Sequence, residues 1–326
     1  MILRTVLLPI VRAALIALLS MHGVAWSQAY PTRTVRIVIP FPPGGTSDIL
    51  ARTLAAKLTE EWGQQVIAEN RPGAAGNVAC EYVAKQRGDP HTLLINTVGT
   101  HAINPAIYPN LPFDPVRDFT FITNLVNLPT LLIAHPSLQA TTVPELIALA
   151  KSKPGALTYS SAGSGSQPHL TAEMFKTMAG VDLLHVPYKG AGPQLLAVVS
   201  GEVALTFATA PAAVPLIKNK QARAIAVTTA ERVPALPDVP TFNETLPGYV
   251  AIGWNGLVGP ADIPKPIVEK IHAAVAKIYA QPDMRERLVS LAAEPAISTP
   301  EEFAALVKTE IGKWAKAVKD SGAKLD

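Results

Sequence analysis

The stretch IPFPPGGTSDIL, residues 39–50, joins an apolar run typical of a β-strand to an apolar pattern typical of a helix. At such a junction the first amides of the helix lack partners within it, and the helix dipole makes that end positive. Gly44 and Gly45 let the backbone approach a ligand closely, while Pro42 and Pro43 stiffen the loop. The residues suited to cap this helix are Thr46, Ser47 and Asp48. The stretch therefore predicts an anion site, with a plain strand–helix turn as the alternative.

A second stretch, SSAGSGSQPHL over residues 160–170, repeats the order of strand end, flexible loop and helix start. Gly163 and Gly165 free the backbone, and His169 lies in the first helical turn, where a local hydrogen-bonding role is the alternative to ligand contact. The hydroxyl donors of the stretch are Ser161, Ser164 and Ser166. Two such loops predict a ligand with two polar ends, held beyond the carboxyl ends of two sets of strands.

Further polar residues follow predicted strands and are weaker candidates for the site. Thr97 and His101 come after the strand stretch HTLLI, and Tyr188 comes after LLHVP. For each, a role as a solvated loop residue or a cap competes with ligand contact, and His101 could also close a turn. The other polar residues in such positions are Asn96, Thr100, Lys189, Thr206 and Thr209.

Signatures of a nucleotide-binding loop or of an enzyme are missing from the sequence. No Lys-Ser or Lys-Thr follows the first glycine pair, there is no G-x-G-x-x-G there, and Asp48 would repel a phosphate. No G-x-S-x-G or H-E-x-x-H motif occurs. The single cysteine, Cys80, lies in a helical pattern without a positive neighbour, which predicts a buried, unreactive thiol. We expect no cofactor, no metal and no catalysis.

The elements that must position these loops alternate between strands and helices. Strands over residues 34–40, 64–70 and 91–97 are separated by helical patterns, which predicts a parallel sheet flanked by helices. A second α/β set begins near residue 130, and the chain ends in two helical segments. The proline- and glycine-rich span 237–266 is interpreted as a crossover. The predicted fold class is α/β with two hinged lobes.

Two helix starts carry side-chain caps that are visible in the sequence. Thr142 lies three residues before Glu145, which is the pattern of a capping box. Thr299 is followed by Pro300 and by Glu302, which combines an N-cap, a first-position proline and a reciprocal acid. Both patterns predict the first turn of a helix.

Composition and charge bound the function further. The chain has 326 residues, is 48% hydrophobic and carries a formal net charge of only +3, with no basic run, so a nucleic-acid partner is not expected. Residues 1–29 combine arginines, a short apolar stretch and a final Ser-Gln-Ala, which predicts a signal peptide cleaved after Ala29. Arg12 interrupts the apolar stretch, so a membrane anchor is the less favoured alternative. The mature protein is expected to be exported and soluble.

Together these stretches resemble a known family. The segments that carry the resemblance are YPTRTVRIVIPFPPGGTSDILAR, ENRPGAAGNVACEYVAK, HAINPAIY, FDPVRDFTFIT, SSAGSGSQPHL, HVPYKGAGP, PALPDVPTFNETLPGY and TPEEFAALVKTEIGKWAKAVKDSG. In this order, over about residues 30–323, they are similar to the Bug-type receptors, the extracytoplasmic solute-binding components of tripartite tricarboxylate transporters. Each motif alone is weak, but the ordered set is specific.

The resemblance implies a type II periplasmic-binding-protein fold in which two α/β lobes, each a mainly parallel sheet flanked by helices, close on a ligand in the cleft between them. Lobe 1 would comprise residues 30–129 plus 252–326, and lobe 2 residues 130–251. The implied ligand is a small di- or tricarboxylic, hydroxy or aromatic acid, which a periplasmic receptor, expected to be monomeric, delivers to permease subunits in the membrane.

In the resembling family a ligand carboxylate is held largely by backbone amides and ordered waters at two loops, here Phe41–Asp48 and Ser161–Gln167. With the candidates at strand ends and helix starts added to these loops, the residues assigned to the ligand are Phe41, Pro43, Gly44, Gly45, Thr46, Asp48, Thr97, His101, Ser161, Ala162, Gly163, Ser164, Gly165, Ser166, His169, Tyr188 and Ala208. Many members carry an aspartate where this chain has Ala208, so a ligand without an amine is expected. An exported sensory receptor and a secreted α/β enzyme acting on small acids are the alternatives.

Overall fold

The computed structural model describes residues 30–234, 236–290 and 292–321; the predicted signal peptide and its cleavage site lie outside the described residues. The strands are β1 (Val35–Ile39), β2 (Val66–Asn70), β3 (Thr92–Thr97), β4 (Phe119–Leu128), β5 (Thr130–Ala134), β6 (Thr158–Ser161), β7 (Leu184–Pro187), β8 (Leu205–Thr209), β9 (Arg223–Val227), β10 (Gly253–Pro260) and β11 (Glu294–Pro295). The helices are α1 (Thr46–Trp62), α2 (Asn77–Ala84), α3 (Asn104–Ile107), α4 (Val143–Ser152), α5 (Gln167–Ala179), α6 (Ala191–Ser200), α7 (Ala210–Lys218), α8 (Lys265–Tyr279), α9 (Pro282–Ser290) and α10 (Pro300–Ser321).

The first sheet has six strands in the order β11-β4-β10-β3-β1-β2. Strands β2 and β3 pair with β1 in parallel, whereas β10 runs antiparallel to both of its neighbours, β3 and β4. Strand β4 therefore runs in the same direction as β1–β3, and β10 and the short edge strand β11 run against it. The predicted α/β character is confirmed, with one reversed strand inserted near the centre of the sheet.

The second sheet has five strands in the order β7-β6-β8-β5-β9. Strand β6 pairs in parallel with β7 and β8, whereas β5 runs antiparallel to β8 and β9. Each sheet is thus mixed through one reversed inner strand, β10 in the first and β5 in the second. These two strands are the ones that the chain enters after crossing from the other sheet.

The two crossings between the sheets lie side by side. The first joins β4 to β5 through Pro129, and the second follows β9. The Thr228 amide donates to the Thr130 carbonyl at 2.9 Å, and the Thr228 hydroxyl donates to the Ala251 carbonyl. The Ala251 amide in turn donates to the Thr228 carbonyl at 3.0 Å. These hydrogen bonds hold the two chain segments that connect the sheets next to each other.

The first sheet is covered on both faces. Helices α1 and α8 bury Leu54 and Ile271 against one face. On the other face, α2 and the long C-terminal helix α10 bury Val83 and Phe303. Leu170, from α5 beside the second sheet, belongs to the same apolar cluster as Phe303, so α10 also packs towards α5. None of the helices in the described part of the chain is long and apolar enough to cross a membrane.

Strand β10 lies in the span that the sequence analysis interpreted as a crossover. Its sequence, GWNGLVGP, is poor in strand-forming residues because two of its glycines are needed for packing. A Cβ at Gly256 would overlap the Phe303 ring, and a Cβ at Gly259 would overlap Ile263. The glycines that hide the strand in the sequence are thus the ones that let side chains pack directly on its backbone.

Candidate functional site

The first predicted loop connects β1 to α1 and leaves the start of that helix without a side-chain cap. Gly45 is the N-cap residue in extended conformation, and no side chain bonds to the first-turn amides. Gly44 has φ of +90°, a conformation that favours glycine. Because the first amides of a helix have no partner within it, those of Thr46 and Ser47 point out of α1 at its positive end. This loop can therefore offer backbone donors to an anion.

Asp48 holds this loop in shape. The residue is only 5% exposed. Its carboxylate accepts a hydrogen bond from the Gly44 amide at 3.0 Å and another from the Asn70 side-chain amide at 2.9 Å. The Arg52 guanidinium completes the set at 2.9 Å. Burial would raise the pKa of Asp48, but the hydrogen bonds from Arg52, Gly44 and Asn70 outweigh it and leave that pKa below its usual value. The structure therefore places this predicted ligand residue in the support of the loop, with its charge neutralised locally.

The second predicted loop connects β6 to α5 and is folded on itself. Gly163 and Gly165 have φ of +126° and +78°, and the Ser166 amide donates to the Gly163 carbonyl at 3.0 Å. Ser166 is the N-cap residue of α5, yet its hydroxyl does not cap the helix. That hydroxyl oxygen is buried and has no hydrogen-bond partner among the described residues. A buried hydroxyl of this kind at a positive helix end is suited to an external acceptor.

A stacked pair of histidines supports the second loop from below. The rings of His169 and His185 lie 4.1 Å apart at 6°. His169 accepts the Gly165 amide through Nδ1 at 3.0 Å, and His185 Nε2 lies 2.6 Å from the Ser161 hydroxyl. Both ends of the loop are thus fixed by imidazole groups. His169 has the local hydrogen-bonding role that the sequence offered as its alternative.

The two loops meet at the beginning of β10. Asn255 on that strand donates its side-chain amide to the Ser47 hydroxyl at 2.8 Å. Two residues earlier, Gly253 lies against the side chain of Gln167, the first residue of α5. Residues two apart on a strand are about 7 Å apart and face the same side. The starts of α1 and α5 therefore converge on one side of β10.

A third helix start, that of α7, faces the first. Thr209 ends β8 and is the N-cap residue of α7, but its side chain does not cap that helix. Its hydroxyl lies 3.2 Å from the hydroxyl of Thr46 on α1. Ala208, one residue earlier, is buried at 4% exposure in the second sheet. The Thr46–Thr209 contact brings the two sheets together at the site.

Ala162 belongs to the second loop, and Tyr188 lies beside that loop. The Tyr188 amide donates to the Ser161 carbonyl at 3.0 Å, and the Gly190 amide donates to the Ala162 carbonyl at 3.1 Å. Burial, together with the neighbouring Glu202, raises the pKa of Tyr188 above its ordinary value. These bonds attach the segment before α6 to the edge of the loop.

Phe41 and Pro43 lie on the first loop. The Phe41 carbonyl accepts the Asn70 side-chain amide at 3.0 Å, and Pro43 is exposed. The Asn70 amide also bonds to Asp48, so Phe41 and Asp48 share one support.

Thr97 ends β3, where it pairs with Asn255 of β10, and His101 follows in the turn after that strand. Thr97 and Thr100 close a turn, with each amide donating to the other residue's hydroxyl at 3.0 and 3.2 Å. The His101 ring is fully buried, lies 4.6 Å from the Phe119 ring and has its pKa lowered to about 3 by burial. The structure therefore gives His101 a packing role in place of the predicted ligand contact, because no part of its ring reaches the surface.

Sequence reasoning did not single out Asn255, and it named Gln167 only as the last residue of the second loop. Gln167 donates its side-chain amide to the hydroxyls of Thr130 and Thr171, at 2.9 and 3.1 Å. Asn255 lies on a strand that the sequence did not reveal, and the partners of Gln167 depend on the meeting of distant segments. The prediction for Cys80 is confirmed, since its thiol is fully buried and burial raises its pKa to about 12.

The open helix starts contribute positive electrostatic potential at the site. The starts of α1, α5 and α7 lack side-chain caps, and the one carboxylate described above, Asp48, is paired. No group of three or more metal-ligating side chains occurs in residues 30–234, 236–290 and 292–321. The arrangement can bind an anion through neutral donors, and it defines the class of two-sheet solute-binding receptors.

Solved structures of known proteins agree with that class. R. palustris Rpa4515, determined with adipate, is 39% identical, covers 91% of this chain and 100% of its own, and superposes with a TM-score of 0.88. MatC (Rpa3494) from Rhodopseudomonas palustris, with bound malate, is 35% identical over 89% of this chain and 100% of its own, with a TM-score of 0.82.

Sequence comparison gives the family. The protein BugT of Bordetella pertussis is 31% identical over 301 residues, which is 92% of each chain. Residues 50–323 match the model of the tripartite tricarboxylate transporter family receptor. The chain belongs to this family of solute-binding receptors, and the resemblance inferred from its motifs is confirmed.

Proposed function

We propose that this chain is a periplasmic receptor that captures a small carboxylate between its two sheets and delivers it to the permease of a tripartite tricarboxylate transporter. The observation that carries the proposal is the meeting of three helix starts, α1, α5 and α7, none of which has a side-chain cap. Unpaired first-turn amides at positive helix ends bind anions without a charged side chain. The relatives solved with adipate and malate support a carboxylate as that anion.

Capture occurs by closure of two lobes, residues 30–129 plus 252–326 and residues 130–251. The adjacent segments around Thr130, Thr228 and Ala251 supply the hinge. A shift from mostly open to mostly closed takes about 5.5 kcal/mol of differential binding. Charge-assisted hydrogen bonds contribute roughly 1.5–3 kcal/mol each, so two to four bonds that form only in the closed state suffice. No covalent bond is made or broken in this cycle.

The ligand lacks an ammonium group. An amine in the cleft would need an unpaired acid, and the Asp48 carboxylate is already bonded to Arg52, Asn70 and the Gly44 amide. Ala208 at the end of β8 offers no acceptor side chain. A di- or tricarboxylic, hydroxy or aromatic acid satisfies the helix starts without this requirement.

The receptor acts outside the cytoplasm as a monomer, after removal of residues 1–29. The arginine-flanked apolar stretch and the small residues before Tyr30 support export. The membership of a transport receptor family supports delivery to a permease.

A ligand screen on residues 30–326 tests the proposal. The protein is unfolded and refolded to remove carried-over ligand, and its melting temperature is measured with adipate, malate and their diamides. Native-state binding adds about 2.7 kcal/mol of stability at a hundredfold excess over Kd, so a ligand gives a clear shift. We expect an acid to raise the melting temperature and its diamide to leave it unchanged. Shifts with diamides or neutral sugars, and with no acid of a wider panel, would contradict an anion site.

A further inference from the structure

The Thr46–Thr209 contact joins two helix starts that belong to different sheets. Thr46 is the first residue of α1, which follows β1 of the first sheet, and Thr209 precedes α7 at the end of β8 of the second. Their hydroxyl oxygens are 3.2 Å apart, although the residues are 163 positions apart in the chain. Both residues are half-buried, so the pair lies at the margin of the region between the sheets.

Neither hydroxyl serves its own helix. The N-cap of α1 is Gly45, so Thr46 lies one position too late to cap it. Thr209 does occupy the N-cap position of α7, where threonine ordinarily accepts a first-turn amide, but it makes no such bond. Thr142, at the equivalent position of α4, makes the full capping box. The Thr209 hydroxyl is therefore directed across the gap between the sheets.

The bond between the two hydroxyls leaves one of their two protons free to donate. Each hydroxyl carries one donor and two acceptor sites, and one of the two protons is used in the Thr46–Thr209 bond. The second proton remains for another acceptor beside two positive helix ends. We propose that Thr46 and Thr209 form a latch that sets how much of the receptor is closed, and that the remaining proton is donated to the bound carboxylate. The ligand part of this inference rests on the proposed function; the latch part does not.

The latch is tested first without ligand. Cysteines introduced at Lys85 and Leu196 carry spin labels, because both side chains are 68% exposed, on opposite sides of the hinge, and the native Cys80 is fully buried. The distance between labels is then compared among the starting protein, Thr46→Val, Thr209→Val and Thr209→Ser. We expect both valine variants to lose the closed population and the serine variant, which keeps the hydroxyl, to retain it. Distance distributions that are the same in all four proteins would overturn the latch.

The ligand arm uses adipate, with malate as a second probe. We expect each valine variant to weaken binding at least about threefold, because the neutral bond between the hydroxyls is lost. The variant that removes the hydroxyl bonded to the carboxylate should lose more than about tenfold, because that bond is charge-assisted, and the double variant should bind no worse than this one. Additive losses in the double variant would contradict a bond between the two hydroxyls. Binding of neither probe by the starting protein would count against the proposed ligand class, while the label distances would still decide the latch.

Discussion

The starts of α4 and α5 both carry a hydroxyl residue at the cap position, Thr142 and Ser166, but only one of these hydroxyls caps its helix. Thr142 accepts the Glu145 amide and Glu145 accepts the Thr142 amide. Ser166 accepts no amide, and its hydroxyl is buried without a partner among the described residues. The start of α4 is therefore capped by its own side chains. The start of α5 is left without a cap at the point where it meets the start of α1.

The same contrast extends to other helices. Thr299 and Glu302 bond reciprocally at the start of α10, and Thr241 and Glu244 do so at a short 3-10 turn. The starts of α1 and α7 are open like that of α5. The absence of a cap alone does not mark the site, because α2, α6 and α8 also begin without one. What distinguishes α1, α5 and α7 is that they meet across the two sheets.

The largest expected effect comes from removing Asp48, which supports the uncapped start of α1. We expect Asp48→Ala to lower the free energy of unfolding by about 2–3 kcal/mol and to weaken carboxylate binding more than thirtyfold, because the Gly44 amide, Asn70 and Arg52 lose their common acceptor. Chemical denaturation and calorimetric titration measure the two quantities.

Asp114→Ala is the matched control for that variant. Asp114 also accepts backbone amides, those of Val116 and Arg117, but in a turn before β4. It should lose stability and keep its affinity. An Asp48→Ala protein that binds adipate as well as the starting protein would remove the first loop from the site.

The second-largest expected effect is the pH dependence of stability caused by the buried His101, which tests whether this residue belongs to the site. Burial lowers the pKa of His101 from 6.5 to about 3, so below pH 6.5 the unfolded chain takes up a proton that the folded protein does not. Stability is therefore complete above about pH 6.5 and falls as the pH decreases, by about 2 kcal/mol between pH 6.5 and pH 5. His101→Leu should flatten this slope in denaturation curves and leave affinity at pH 7.5 unchanged. A lost affinity would return His101 to the ligand site.

A smaller effect tests the open start of α5 directly. Ser166→Ala should weaken carboxylate binding about tenfold, the lower end of the range for one charge-assisted hydrogen bond, if its hydroxyl donates to the ligand as proposed. The free energy of unfolding should stay the same or rise, because the hydroxyl caps nothing and is buried without a partner. A drop in stability with unchanged affinity would show that Ser166 is an ordinary cap.

The smallest expected effect comes from the start of α4, which has a side-chain cap. Thr142→Ala removes one half of the capping box and should lower the free energy of unfolding by about 1 kcal/mol. Its affinity for the same carboxylate should match that of the starting protein. Together with Ser166→Ala it forms a crossed pair, in which one variant changes binding and the other changes stability.

Much of the fold could be predicted because its signals are local. The capping boxes at Thr142 and Thr299 are confirmed, as are the helix starts after both glycine loops. Strand β4 and the central strand β10 were not predicted. In β10 the glycines make room for Phe303, which comes from α10, and for Ile263, which lies just after the strand. Because glycine is unfavourable in strands, the local sequence argues against a strand at this position.

The candidate site, like the fold, could be predicted only where its signals are local in the sequence. The two loops were visible because each is a continuous stretch with glycines before a helix. The contacts that support them were not visible, because Asn255 and Gln167 acquire their roles only from Ser47 and Thr130, which lie far away in the chain. Asp48 was recognised by position, but its role as an internal support depends on Asn70, which lies on another strand.

The most direct test of the account follows backbone amides during binding. In nitrogen-labelled protein, adipate is titrated while the amide resonances of Thr46, Ser47, Gln167, His169 and Ala212 are compared with those of Glu145 and Glu302. We predict large shifts at the first group, which lies in the first turns of α1, α5 and α7, and none at the second, whose amides are already capped. Saturable binding, measured by calorimetry, without shifts in the first group would contradict the claim that open helix starts hold the carboxylate.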